Sequence, residues 1–346
     1  MPAEVRRDLV AARRVAKENG RRLFLAGGAV RDLLLGRPVR DVDLVVEGDA
    51  SGFARRLAER LGGSVRTHAR FATATINRNE GRHVDVAATR RERYARSGVL
   101  PDVVPGVPIE EDLGRRDFSI NGLAIELAPQ RRLVDPLGGR DDLRRGLVRI
   151  LHAHSFLDDP TRILRAVRYA ARLGFRLAPT TRDHLVSALE ESALDRISAD
   201  RLRRELRLIL EEPDRVRAIG MMRRLGIAEA VDPLLSQQGV SQRFRRTGAN
   251  ADWLCYLRAW MGRATGLEMD RLASRLGLSR AERRALSSPS RGPASVRGAD
   301  LIAAGIPPGP AIGRALAKTR DALDRGRLAP REALAFALRA ARSEDA

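Results

Sequence analysis

The chain has 346 residues, enough for two or more domains with real cores, and a formal net charge of +20 from 64 Lys and Arg against 44 Asp and Glu. That surplus points to a polyanionic partner, nucleic acid before membrane, while aromatics at only 4% argue against a base-stacking platform of the RNP type. The single cysteine, Cys255, excludes a disulfide framework and a cysteine metal cluster; the charged N-terminus has no secretory apolar region and no apolar run matches a membrane span, so the sequence predicts a cytoplasmic protein.

In chain order, Val5 to Lys17 reads as a helix ended by Asn19-Gly20. Leu23 to Ala26 is a short apolar strand, Gly27-Gly28 a turn, and Ala29 to Leu35 a helix stopped by Gly36 and Pro38. A glycine turn feeding a helix N-terminus offers backbone N–H groups and partial positive charge to a phosphate. Asp41 and Asp43 follow at the mouth of a strand, Leu44 to Val46, and strand alternation points both carboxylates to one side. Two adjacent carboxylates repel unless a divalent ion sits between them, and hard oxygen ligands beside a phosphate seat suggest Mg²⁺. Taken singly, a Gly-Gly or an Asp-x-Asp is an ordinary turn. The joint pattern, GGxVRDxxLGxxxxDxDL, is far more specific. It resembles the signature of the nucleotidyltransferase superfamily, in the branch of class II tRNA nucleotidyltransferases and bacterial poly(A) polymerases.

Next come a helix, Phe53 to Leu61, an alternating strand, Ser64 to Ile76, a turn, Asn77 to Gly81, and a strand, His83 to Ala88. The fold class predicted is α+β, a mixed β-sheet head with helices on one face, followed by an all-α neck, body and tail. Asp85 points away from the face that Val84 and Val86 bury, which makes it either a solvated strand residue or the third carboxylate beside Asp41 and Asp43. In the superfamily such a position acts on the attacking hydroxyl or helps hold metal. Arg90 to Ile109 is rich in Arg, Gly and Pro, has no period and reads as a functional loop. A loop of similar placement in the family takes part in switching from C to A addition.

Glu110 to Ile125 contains RRDFSINGLAI, which resembles the family's RRDFTINAxA element with Ser119 and Gly122 as departures. Arg116 and Asp117 offer a donor and an acceptor that suit a ribose 2′-OH, and Asn121 a polar contact near the phosphates. Leu133 to Leu143 reads as a strand ending at Asp135-Pro136, a glycine turn and a short helix joining head to neck. In Phe156 to Phe175, Asp159-Pro160 is a helix start. Beyond it Arg162, Arg165, Arg168 and Arg172 share one arc of the wheel, opposite Ile163, Leu164, Val167, Ala170 and Ala171; such a stripe wants an anion. The segment resembles the family's EDxxR element, with Asp158 in place of the usual Glu. The resemblance implies that Asp159 and Arg162 hydrogen-bond the Watson–Crick edge of C or A, with Arg165 and Arg168 serving base or triphosphate.

Ile197 to Leu210 predicts a bracing helix with Ser198 as N-cap, and the chain is helical by pattern from Pro213, with breaks near Asp232-Pro233 and over 288–293. His152 and His154 have no partners at metal spacing, and no His-rich phosphohydrolase pattern appears. Gly298 to Leu316, with Gly305, Gly309 and Gly313, suits either a turn against RNA or a helix–turn–helix joint. The domains expected are a head at 1–145, a neck at 146–212 and a tRNA-binding body and tail at 213–346. The activity expected is template-independent addition of CCA, or part of it, to tRNA 3′ ends from CTP and ATP, with Asp41 and Asp43 holding metal in a two-metal mechanism, Asp85 assisting, and Gly27, Gly28 and Arg31 cradling phosphates. The alternatives are a poly(A) polymerase, a CC-only or A-only enzyme, or an inactive RNA-binding protein; the oligomeric state is open.

Overall fold

Apolar residues at helical spacing on a basic background open the chain. In the computed structural model, which describes residues 2–39, 42–78, 83–247, 251–287, 296, 298–324, 328 and 332–342, helix α1 (Ala3–Glu18) buries Val5, Ala12, Val15 and Ala16. Strand β1 (Leu23–Ala26), helix α2 (Gly28–Leu34), strand β2 (Asp43–Val46) and helix α3 (Ala50–Leu61) follow. Then come β3 (Ser64–His68), β4 (Thr73–Asn77), β5 (His83–Ala88), β6 (Arg90–Arg93), β7 (Asp102–Pro105), α4 (Ile109–Gly114), β8 (Ala124–Ala128) and β9 (Arg132–Val134). Seven of these strands form one sheet, ordered β3-β4-β5-β2-β1-β8-β9. Every neighbouring pair in it is antiparallel except β2 and β5, which run parallel and set Asp43 opposite Asp85.

Helix α3 lies on β3, β4 and β5 and packs against α1. Phe24, Ala26 and Val45 form one buried cluster with Ile109 and Leu113 of α4, while Leu23 and Leu25, on the other face by alternation, are buried too. The central strand is therefore covered on both faces, where the sequence reading placed helices on one. Two further expectations are corrected. The alternating run from Ser64 to Ile76 is two strands, because it turns through a 3-10 segment at Ala69–Phe71 with Ala72 at φ 49° and folds back as an antiparallel hairpin. The segment read as a loop from Arg90 to Ile109 contains the antiparallel hairpin β6–β7. Its charged strand has little β propensity. Arg90 and Glu92 pair within it, and it is held from outside by Arg115 paired with Glu92 and by Asp112 accepting from the Arg90 amide.

A helical segment follows: α5 (Gly139–Arg145), the parallel pair β10 (Leu147–Val148) and β11 (Arg176–Leu177), α6 (Ser155–Asp158), α7 (Thr161–Leu173), α8 (Pro179–Glu190), α9 (Ala199–Glu211), α10 (Arg215–Arg224) and α11 (Ile227–Val231). Ser198 caps α9 through the Arg201 amide, as its sequence predicts. Helix α7 packs on α9 and α10.

The chain divides after Val231 into a second unit. It opens with a 3-10 turn at Pro233–Ser236, the expected break, then α12 (Val240–Thr247), α13 (Trp253–Met261), α14 (Gly266–Arg275), α15 (Arg280–Ser287), α16 (Gly298–Ala303), α17 (Pro310–Asp324) and α18 (Ala333–Arg342). The second expected break, at 288–293, lies outside the described residues. Leu301, Ile306, Ile312, Ala315, Ala337 and Ala341 form one buried cluster, so the 298–316 stretch is a helix–turn–helix joint. Among the described residues no helix is long and apolar enough to cross a membrane.

Candidate active site

Within the first unit a cleft of about 670 Å³ opens over the ends of β1, β2 and β5, and α7 brings its first turns to the same opening. Asp43 and Asp85 stand on its wall, exposed and half-buried, with their neighbours Leu44, Val84 and Val86 turned into the core. Thr75 Oγ1 on β4 donates to Asp85 Oδ1 at 2.7 Å and orients that carboxylate. Asp41 lies outside the described residues. Among the described residues no group of three potential metal ligands stands together; the two strand carboxylates are hard oxygen donors on adjacent strands.

The glycine turn is shaped by contact. Gly27 sits at φ 71° and ψ −131°, and a Cβ there would lie 2.4 Å from Arg116 Nη1. A Cβ on Gly28 would meet only Arg31 atoms from 3.5 Å, ordinary van der Waals distance. Gly27→Ala is therefore expected to destabilise the turn by about 1–3 kcal/mol and Gly28→Ala to do far less; matched melting curves check it, and equal effects would refute the assignment. The amide of Gly27 already donates to Leu123 O at 2.9 Å. The N–H groups left for an anion are those of Gly28, Ala29 and Val30, in the first turn of α2, where no intrahelical acceptor exists.

Arg31 is buried. Its Nη1 donates to Asn121 Oδ1 at 2.7 Å and its Nε to Asp32 at 2.9 Å. Asn121 Nδ2 donates to Asp117 Oδ1, which also accepts from the Phe118 amide, both at 2.9 Å. Asp117 Oδ2 accepts from Nε and Nη2 of Arg165 at 2.9 and 2.7 Å. Burial pushes the Asp117 carboxyl up, but Arg165, Asn121 and Arg162 outweigh it and hold it below the usual carboxylate range. Arg165 Nη1 then stands 3.5 Å from Glu205, which accepts from Arg168 at 3.2 Å, and Glu212 pairs with Arg168 at 3.8 Å and with Arg172. Acids and bases alternate along this string from the glycine turn to α9 and its end. The Tyr169 ring lies within 5.1–5.5 Å of the guanidiniums of Arg31, Arg165 and Arg168, with Phe118 packed edge-on.

On the α7 side, Asp159 Oδ1 accepts from the Thr161 amide at 3.0 Å, from Thr161 Oγ1 at 2.7 Å and from Arg201 Nη2 at 2.6 Å. It is the helix cap expected of it, held also by α9. Arg162 donates to Ser155 Oγ at 2.7 Å and to the carbonyl of Arg115 at 2.8 Å. Arg116 pairs not with Asp117 but with Asp112, at 3.2 Å, and its Nε is buried without a partner.

Residues 23–149 match the family described as "Poly A polymerase head domain", and residues 174–238 the one described as "Probable RNA and SrmB- binding site of polymerase A". The chain is 34% identical over 321 residues to the CC-adding tRNA nucleotidyltransferase of Deinococcus radiodurans, covering 85% of this chain and 83% of that one. It belongs to the tRNA nucleotidyltransferase and poly(A) polymerase family. It is 44% identical over 213 residues to the A-adding tRNA nucleotidyltransferase of Halalkalibacterium halodurans, covering 60% of this chain and 50% of that one. The chain spans between 24% and 50% of the length of the A-adding relatives it matches. A solved structure, a CCA-adding enzyme with CTP, superposes with a TM-score of 0.70 at 32% identity, over 83% of this chain and 70% of that one.

For this tRNA nucleotidyltransferase-family chain, Gly27, Gly28, Arg31, Asp43, Asp85, Arg116, Asp117, Asn121, Asp159, Arg162 and Arg165 all line the one cleft. Arg168 does not: it is buried behind the wall, against Glu205. The arginine stripe that wants an anion has found carboxylates of its own chain. Glu205 and Glu212 were missed: Glu205 lies on the bracing helix and Glu212 just past its end, and acids seven residues apart beside an arginine stripe are a usable signal. Thr75 and Tyr169 carried no comparable signal, since an alternating Thr in a strand and an aromatic in a helix read as packing.

Proposed function

We propose that the chain adds nucleotides to tRNA 3′ ends without a template, taking CTP and ATP and releasing pyrophosphate. The observation that carries this reading is convergence: strand carboxylates Asp43 and Asp85, with Asp159 just before α7 and Arg162 in its first turn, face one cleft although they come from distant parts of the chain. Oδ1 of Asp159 is taken by three donors, which leaves Oδ2 to accept from the exocyclic amine of C or A. Arg162, clamped by Ser155 and the Arg115 carbonyl, turns its remaining N–H bonds to the adjacent ring nitrogen. U and G present a carbonyl where C and A present the amine, and Asp159 repels it.

Asp43 and Asp85 fit a magnesium ion, being adjacent hard oxygen donors whose charges otherwise repel; Asp41 joins them by sequence position. A magnesium ion held there supplies Lewis-acid stabilisation of the negative charge that develops on the phosphates. The 3′-oxygen of the tRNA attacks the α-phosphorus as the bond to the β-phosphate oxygen breaks. Asp85, steadied by Thr75, is placed to draw the hydroxyl proton. Arg31 and the free amides of the α2 turn receive the phosphates, and the basic second unit holds the tRNA through its backbone, with salt-sensitive affinity.

The names of the relatives favour a second reading, an enzyme that adds only CC or only A. One assay separates these: purified protein, tRNA ending at the discriminator base and tRNA ending in CC, and labelled CTP and ATP singly and together. Addition that stops after C, C and A supports the first reading, and addition confined to CC or to a single A supports the second. A long A tract makes it a poly(A) polymerase. Binding of tRNA with no incorporation refutes both and leaves an RNA-binding protein.

A further inference from the structure

In this conformation Asp117 has nothing left to offer a ligand. Its Oδ1 accepts two hydrogen bonds, from the Phe118 amide and Asn121 Nδ2, and its Oδ2 accepts two more from Arg165. Two carboxylate oxygens have about four lone-pair sites between them, so the group is saturated. The first pair comes from its own neighbourhood, a buried amide and an amide side chain tied to Arg31. The second pair comes from a residue that lines the cleft and has another acid within reach, since Arg165 Nη1 lies 3.5 Å from Glu205 Oε1. Glu205 stands off the cleft wall and is buried.

We infer that Arg165 exchanges carboxylates: it holds Asp117 while the cleft is empty and moves onto Glu205 when the ribose of an incoming nucleotide claims Asp117 Oδ2. Glu205 is thus a positioning residue for ribose recognition, though it touches no substrate. The arithmetic of hydrogen bonds favours the exchange only for a ribonucleotide. A 2′-hydroxyl supplies one donor where Asp117 gives up two, the Phe118 amide and Asn121 stay on Oδ1, and Glu205 replaces the acceptor that Arg165 loses, so neither side chain is left without a partner. A deoxyribose offers no donor at that carbon, and Asp117 stays with Arg165. Tyr169, whose hydroxyl accepts from Arg165 Nη2 at 3.2 Å and whose ring lies 5.5 Å from its guanidinium, gives the side chain a surface on which to move.

This inference rests on the nucleotide-adding activity proposed above, and the experiment keeps the two apart. Incorporation from CTP and from dCTP is measured for the full chain and for Glu205→Gln, which weakens the landing site for Arg165. In the unaltered protein, CTP incorporation is itself the control: its absence refutes the activity and not the exchange alone. With activity present, Glu205→Gln is expected to raise the KM for CTP about tenfold, the worth of one hydrogen bond to a charged group, and to leave dCTP use little changed. A merely structural Glu205 would lower both nucleotides together, and that result overturns the inference. Because Glu205 also pairs with Arg168, the variant risks folding poorly. The second measurement therefore uses the unaltered protein, crystallised with CTP and with dCTP. Arg165 on Glu205 with CTP and on Asp117 with dCTP is the expected pair; Arg165 still bidentate on Asp117 with CTP bound refutes the exchange.

Discussion

Asp43→Asn is expected to reduce nucleotide addition by about a thousandfold or more while leaving the fold intact. The side chain is exposed at the first residue of β2, so no core contact is lost. What is lost is half of a charged pair: Asp43 stands opposite Asp85 on a parallel neighbour, and like charges so placed repel until a cation is bound. Stabilisation of developing phosphate charge by a bound cation amounts to several kcal/mol, about a thousandfold in rate at 4 kcal/mol. Two measurements check this. Labelled CMP incorporation into a truncated tRNA reports the chemistry. The rise in melting temperature on adding magnesium reports the ion, because a ligand bound only by the native state stabilises it; the unaltered protein should show that rise and Asp43→Asn should lose most of it. A variant that retains both activity and the magnesium response would remove the carboxylate pair from the mechanism.

Arg168→Ala is the substitution expected to cost the fold most among the cleft's supports, about 3 kcal/mol. The guanidinium is buried between Glu205 at 3.2 Å and Glu212 at 3.8 Å and lies over Tyr169 at 5.1 Å. Its removal leaves two buried carboxylates leaning on Arg165 and Arg172 alone, and breaking one side of a buried pair is far more damaging than never having had it. Arg168→Met separates charge from bulk: it fills the same space, so an equal loss would show that unpaired acid, not a cavity, is responsible. Urea titration at neutral pH is the test. An Arg168→Ala midpoint within about 0.5 kcal/mol of the unaltered chain, the range of ordinary surface changes, would contradict the account.

Much of the head was legible because its signals are local. Strand β1 begins and ends where the apolar run from Leu23 to Ala26 does, and β5 coincides with the alternation from His83 to Ala88. Asp43 and Asp85 could be paired in advance only by supposing one sheet; the parallel register supplies the proof. Illegible features depend on partners far along the chain. Hairpin β6–β7 looks like loop because its first strand is all charged and its second ends in Pro105, and the acid and base that hold Arg90 and Glu92 in place are Asp112 and Arg115. The arginines of α7 announce an anion without saying whose, and the answer, Asp117 on one side and Glu205 and Glu212 on the other, comes from elements packed against both flanks. Nothing local to Asp117 tells that four donors, three of them from side chains elsewhere in the chain, already fill it.

The alternating string has a consequence for how a polyelectrolyte perceives this surface. Arg31, Arg165, Arg168 and Arg172 are matched one for one by Asp32, Asp117, Glu205 and Glu212, so at a distance the series is electrically silent. The long-range pull of the chain's +20 must originate in other arginines. Counterions that mask those outlying groups reach buried pairs poorly. Raising ionic strength should therefore strip nucleic acid from the protein well before it loosens the joint between sheet and helices.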